Sequence, residues 1–273
     1  MNAPVSSNPV PAGRRPRGRR NLLLVALAVA VVAGAAGGYG LWYVLLGPSA
    51  PTAVGSLPPV IPAGATVTLL PATSSVAVPG TTAASPVAGS LDGTWNVDTT
   101  LGNISDGTAS FAGYRVQEQL VGVGGHTAVG RSTKVSGSLT LTGSVVSNVS
   151  ITVDMTALTS DDSHRDDQLR RQAIETDNFP TAAFKTTAPI DLGTVPADGA
   201  TVSVNAVGDL TLHGVTKSVT IPLQAKRQGG IMAVAGSLPI VFADYNIAKP
   251  NSFSVLSVDD HGTMELHLLF THA

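Results

Sequence analysis

The chain of 273 residues contains no cysteine. That absence excludes disulfides, thiolate metal sites, cysteine nucleophiles and iron–sulfur clusters. It also excludes attachment to a lipid through a cysteine. A domain exported without disulfides must hold itself together by its core alone. Acidic residues are missing from the first 90 positions: all 18 lie from residue 91 onward, beside 11 of the 16 basic ones. The C-terminal part therefore carries about −7, which the formal −2 of the whole chain conceals. Such a balance argues against nucleic acid as a partner and against adhesion to an anionic membrane surface.

Catalytic signatures are missing too. The chain has no G-x-S-x-G elbow, no P-loop, no dinucleotide fingerprint and no H-E-x-x-H pair. Its six histidines, at 126, 164, 213, 261, 267 and 272, are scattered, which suits structural or solvated roles. His164 stands among Asp161, Asp162, Asp166 and Asp167. Acids at a helix start complement its dipole, so capping is expected there rather than a metal site. No catalytic residue, metal ligand or cofactor is expected.

Four segments are present. Residues 1–20 form a basic tail with five arginines between Arg14 and Arg20. Residues 21–47 contain the uncharged run "LLLVALAVAVVAGAAGGYGLWYVLL" (22–46), with Tyr39, Trp42 and Tyr43 near its far end. At 1.5 Å per residue this run reaches across a hydrocarbon core of about 30 Å. A cleaved signal peptide competes, since "AVVAGAA" offers small residues, but the run continues well past them. A single transmembrane helix is the expectation. The arginines then place the N-terminus in the cytoplasm and the rest outside the cell membrane. Residues 48–90 hold eight prolines among Ala, Gly, Ser, Thr and Val, and read as a semi-rigid linker.

Residues 91–273 are long enough for one domain with a real core. Strand signals dominate, eight or nine of them, many separated by glycine-containing turns. "GDLTLHGVTKSVTIPL" (208–223) alternates with period two on both sides of His213-Gly214, a dipeptide suited to the φ > 0 of a tight hairpin. The pattern predicts an all-β antiparallel barrel or sandwich. One segment, "SDDSHRDDQLRRQAIETDNFP" (160–180), reads instead as a short helix. Ser163 and Asp166 have capping-box spacing, Asp166–Arg170 and Asp167–Arg171 are i,i+4 pairs, and Leu169, Ala173 and Ile174 form an apolar stripe.

Three stretches carry a resemblance. "HRDDQLRRQAIETDNFPTAAFKTT" is similar to the R-D-x-x-L … F … P-x-x-x-F block of the YceI family. "VNAVGDLTLHGVTKSVTIPL" resembles its G-D-L-T-x-H-G-V-T-K-x-V block, and "GTWNVDT" its opening W-x-x-D segment. The resemblance spans about residues 91–272. It implies a lipocalin-like antiparallel barrel of about eight strands with a helical insertion. It also implies a long isoprenoid lipid, a polyprenyl chain or an isoprenoid quinone, in the barrel interior.

On that implication the apolar strand faces line a lipid tunnel. The candidates are Phe111; Leu139 and Leu141; Ile151 and Val153; Phe179 and Phe184; Val204, Leu210 and Leu212; Val219 and Ile221; and Leu266 and Leu268. Phe179-Pro180 is placed as a cap over the opening. Arg115, Arg131 and Lys134 are either solvated charges or head-group contacts. The expected function is a membrane-tethered carrier or reservoir. The alternatives are a filled-barrel scaffold or adhesion domain without ligand, and, third, an enzyme acting on a lipid head group.

Overall fold

The computed structural model describes residues 50–54, 57, 90–250, 252 and 255–273. The barrel lies in one compact unit that ends at Ala273. The membrane span expected over 21–47 falls outside the described residues. Among the described residues no helix is long and apolar enough to cross a membrane.

Among the described residues twelve strands follow in chain order: β1 (Gly93–Val97), β2 (Phe111–Leu120), β3 (Gly124–Ser132), β4 (Val135–Thr142), β5 (Val145–Asp154), β6 (Thr181–Thr186), β7 (Ile190–Asp191), β8 (Thr201–Leu212), β9 (Val215–Gln228), β10 (Ile231–Val241), β11 (Val255–Val258) and β12 (His261–His272). All pairs are antiparallel. Eight strands close a ring in the order β1-β4-β5-β6-β8-β9-β10-β12, and β12 returns to β1. Closure leaves the ring without a free edge.

The free side of β12 is shared. Its C-terminal end meets β1 through Val97↔Phe270 and Trp95↔His272, while its first half meets β2 from Thr263↔Arg115 to His267↔Phe111. The β2–β3 hairpin therefore extends the wall at one end only. The helical segment lies at that end.

The β8–β9 turn forms as its sequence predicts. Leu212 faces Val215 across His213 (φ 50°) and Gly214 (φ 72°), the two positive φ angles that a type I′ turn demands. Gly214 is required twice over, because a Cβ there would stand 2.6 Å from the Phe179 ring. His213 is buried, not a solvated tip: its Nδ1 lies 3.0 Å from the Tyr245 carbonyl and its ring 4.2 Å from that of Phe179.

The helix differs in detail from its sequence reading. It is α1 (Ser163–Gln168), continued by a π turn over Leu169–Ala173. The N-cap is Asp162, whose carboxylate accepts from the amides of His164 and Arg165, not Ser163. Asp166 is buried and binds the amide and hydroxyl of Ser160 instead of Arg170. Asp167 lies 3.6 Å from Arg170 and 3.7 Å from Arg171. The apolar stripe of Leu169, Ala173 and Ile174 does face the barrel.

The main core joins Trp95, Leu139, Leu141, Val146, Val153, Leu268 and Phe270. Trp95 is 1% exposed, and its indole N–H donates to the Leu91 carbonyl at 3.0 Å, which satisfies its one polar atom.

Candidate functional site: a divided apolar tunnel

Inward-facing residues of the ring do not fill it. One cavity of about 180 Å³ lies at the helix end and a second of about 110 Å³ at the opposite end. Both are walled by Ile151, Phe184, Ile221, Leu266 and Leu268. These five side chains form a waist between two chambers of one apolar channel. The helix-end chamber is bounded by Leu158, Leu169, Ala173 and Ile174 from the helical segment and by Ile247 and Pro250. The far chamber is bounded by Leu91, Leu192, Val195 and Pro196.

The waist depends on a missing side chain. A Cβ on Gly208 would stand 2.7 Å from Phe184 Cζ and 2.3 Å from the Lys185 carbonyl oxygen. Glycine on β8 thus lets the Phe184 ring lie across the interior. Gly208 is itself covered by that ring, whereas Ala206, two residues earlier on the same face, borders the far chamber.

Of the tunnel candidates, Leu139, Leu141 and Val204 line the far chamber, and Val153, Leu210 and Leu212 the helix-end chamber. Ile151, Phe184, Ile221, Leu266 and Leu268 border both. Three candidates lie elsewhere. Phe111 is 1% exposed but on the outer face, under the Arg131 guanidinium at 4.2 Å. Phe179 packs on His213 and Gly214 and caps neither chamber. Val219 packs with Leu210, Ile240 and Tyr245 in a separate cluster.

Residues missed from sequence are the polar ones. Tyr114 and Glu118 of β2 and Arg165 of α1 line the helix-end chamber. Glu118 accepts from Arg165 Nη2 at 2.8 Å and lies 2.9 Å from His126 Nδ1. Arg165 Nη1 meets Asp161 at 2.5 Å. Burial works against the charge of Arg165, and the Glu118 and Asp161 carboxylates more than offset it, holding the guanidinium above its ordinary pKa. The signal for this pair was an acid on an inward strand position facing an arginine at the helix start.

Arg115 and Arg131 are neither solvated nor at the tunnel. On the outer face of β2, β3 and β12, Arg115 Nε donates to Glu265 at 2.5 Å, and Glu265 is 2% exposed. Residues 50–54 and 57, within the stretch expected as a linker, cover this face. Arg115 donates to the Pro51 carbonyl and Arg131 to that of Thr52 at 3.2 Å; the Val54 amide donates to Glu265 at 3.2 Å. Leu57 packs on Ala233 and Leu269.

Beside them His267 is 2% exposed, its Nδ1 2.8 Å from the Ala109 carbonyl and its Nε2 buried without a partner. Burial holds its pKa below the ordinary 6.5. The unfolded chain then binds a proton that the folded chain resists. Stability is expected to fall as pH drops below about 6.5. Thermal melts across pH 7.5–5 check this; a melting temperature flat over that window would contradict it.

The fold agrees with known relatives. Residues 71–270 match the YceI-like domain family. A UPF0312 protein of Vibrio vulnificus is 34% identical over 133 residues, covering 45% of this chain and 61% of its own length. A UPF0312 protein of Vibrio parahaemolyticus is 32% identical over 126 residues, covering 42% and 61%. The chain thus spans about three fifths of the curated relatives it matches. Among solved structures, a domain of Saccharophagus degradans described as polyisoprenoid binding and implicated in plant cell wall breakdown superposes with a TM-score of 0.51. It shares 17% identity and covers 67% of this chain and 99% of its own. With a family match over most of its length and the closed eight-strand ring that goes with it, this chain belongs to the YceI-like domain family.

Proposed function

We propose that the barrel binds one long isoprenoid lipid, threaded through the waist, and acts as a carrier or reservoir for it. The observation that carries this reading is the pair of apolar chambers meeting at Ile151, Phe184, Ile221, Leu266 and Leu268. A filled-barrel scaffold has no use for such space. Burial of an apolar chain at about 25 cal/mol per Å² supplies affinity without polar contacts. The Saccharophagus domain's polyisoprenoid binding supports the same choice of ligand.

A binding protein suits the lining better than an enzyme, because the only charges at the helix-end chamber among the described residues, Glu118 and Arg165, are spent on each other and on neighbours. The uncharged run at 22–46 supports a location at the outer side of the cell membrane, tethered there by residues 21–47. Native mass spectrometry of the full chain released from detergent tests the proposal. One isoprenoid adduct per chain is expected. A chain free of lipid, from a host that makes isoprenoids, would favour the scaffold reading.

A further inference from the structure

Residues 51–54 are gripped on the outer wall by Arg115, Arg131 and Glu265. Arg131 is the insecure member. Its one hydrogen bond to the segment, to the Thr52 carbonyl, is 3.2 Å long, and its Nε is buried without a partner. Glu265 Oε2 stands 3.9 Å from its Nη2 and also lacks a hydrogen-bond partner. The other carboxylate oxygen, Oε1, carries both Arg115 and the Val54 amide. The Arg131 guanidinium lies over the Phe111 ring, whose centroid is 6.0 Å from that of the His267 imidazole. A titratable ring is thus buried beside the grip, with Nδ1 on the Ala109 carbonyl and Nε2 unpartnered.

A neutral imidazole suits this place and a charged one does not. With Nδ1–H donating to the Ala109 oxygen, Nε2 is the atom that takes the next proton. The resulting cation would be 2% exposed and would meet the Arg131 charge, which already acts against it. The charged groups around it are Arg115 of β2, Arg131 of β3 and Glu265 of β12. β10 faces His267 with Ala235, and residues 50–54 and Leu57 carry no charge. Asp98 is held farther along the face by Thr100 and Thr271. Glu265 lies two residues from His267 on the same face of β12. A proton on His267 therefore draws on the carboxylate that holds Val54 and repels the guanidinium that holds Thr52.

We infer that residues 51–54 with Leu57 are a pH-sensitive strap: a proton on His267 loosens both grips, lifts Leu57 from Ala233 and Leu269, and moves the point where the N-terminal side of the chain is held from the strap to β1. The strap lies on the outer wall and acts whatever the tunnel holds. Burial sets the direction. The seated state resists the proton, while a released state with His267 open to water takes it near the ordinary 6.5. Release is rare above about pH 7 and grows as pH falls below about 6.5, by up to about tenfold per pH unit.

The chain has no cysteine, so a nitroxide on Ala53→Cys reports the strap alone. Ala53 is exposed, and none of the three grips uses its atoms. The full chain in detergent is followed by electron paramagnetic resonance from pH 7.5 to 5, with circular dichroism to show that the barrel stays folded. The ratio of mobile to immobile label is expected to rise at least about fivefold over that window. In His267→Asn, whose amide keeps a donor for Ala109, the ratio is expected to stay flat. A ratio that does not move in the native chain overturns the inference. So does an equal rise in His267→Asn, which would assign the pH dependence to Glu265. If His267→Asn does not fold, the imidazole resonances of the native chain decide: one shared midpoint for His267 and the label upholds the strap, and two separate midpoints overturn it.

Discussion

Val234→Trp is expected to remove the longest ligands from the barrel. Val234 lies on β10 and lines the far chamber, opposite the helix. It is only partly buried, at the edge of the main core, and borders the chamber, so an indole there extends into the channel. A chain threaded through the waist would lose room for at least one isoprene unit. Five carbons at about 0.8 kcal/mol each make about 4 kcal/mol, or roughly a thousandfold in affinity. Ligands short enough to stop at the waist should be retained. The measurement is the chain-length distribution of lipid extracted from native and variant proteins expressed side by side. A folded variant that carries the same distribution would show that the far chamber holds no lipid.

Arg165→Leu is expected to lower stability by about 3–5 kcal/mol, because it leaves the Glu118 carboxylate buried without its main partner. For a domain of this size that is a fall in melting temperature of about 10 °C. The double variant Glu118→Leu with Arg165→Leu should recover most of the loss, since the cost lies in the orphaned charge more than in the missing attraction. The pair ties α1 to β2, so the single variant should also loosen the cover of the helix-end chamber. Thermal denaturation of the three proteins decides it. Equal losses in the single and the double variant would mean that packing, not charge, is what Arg165 contributes.

The two predictions differ in how far sequence alone leads to them. Period-two alternation over 208–223 is strong and two-sided, and it placed Leu210, Leu212 and Ile221 on the inner face. It works because one face of each ring strand meets the interior and the other meets solvent. β2 escapes the rule. Its first residues lie under residues 50–54 and Ala109 on one side and the chamber on the other, so both faces are covered. The large residue Phe111 then looks inward by composition although it packs outward, and Tyr114 and Glu118 go unnoticed on the face that matters.

In the helix, Asp162 stands one position before Ser163, and both are good caps; only the chain's entry angle selects between them. Phe179 and Val219 were misplaced for a different reason. Their partners, His213 and Tyr245, are set by where the β8–β9 turn and the 3₁₀ turn after β10 meet, which no local pattern encodes.

The clamp on residues 51–54 has a mechanical meaning. A pull on the N-terminal side of the chain does not reach β1 first. It meets three hydrogen-bonding side chains, Arg115, Arg131 and Glu265, seated on three different strands. Load is thereby spread into β2, β3 and β12 rather than concentrated on the five-residue β1. Tension on that side is taken up at a surface contact before it reaches the ring that encloses the tunnel.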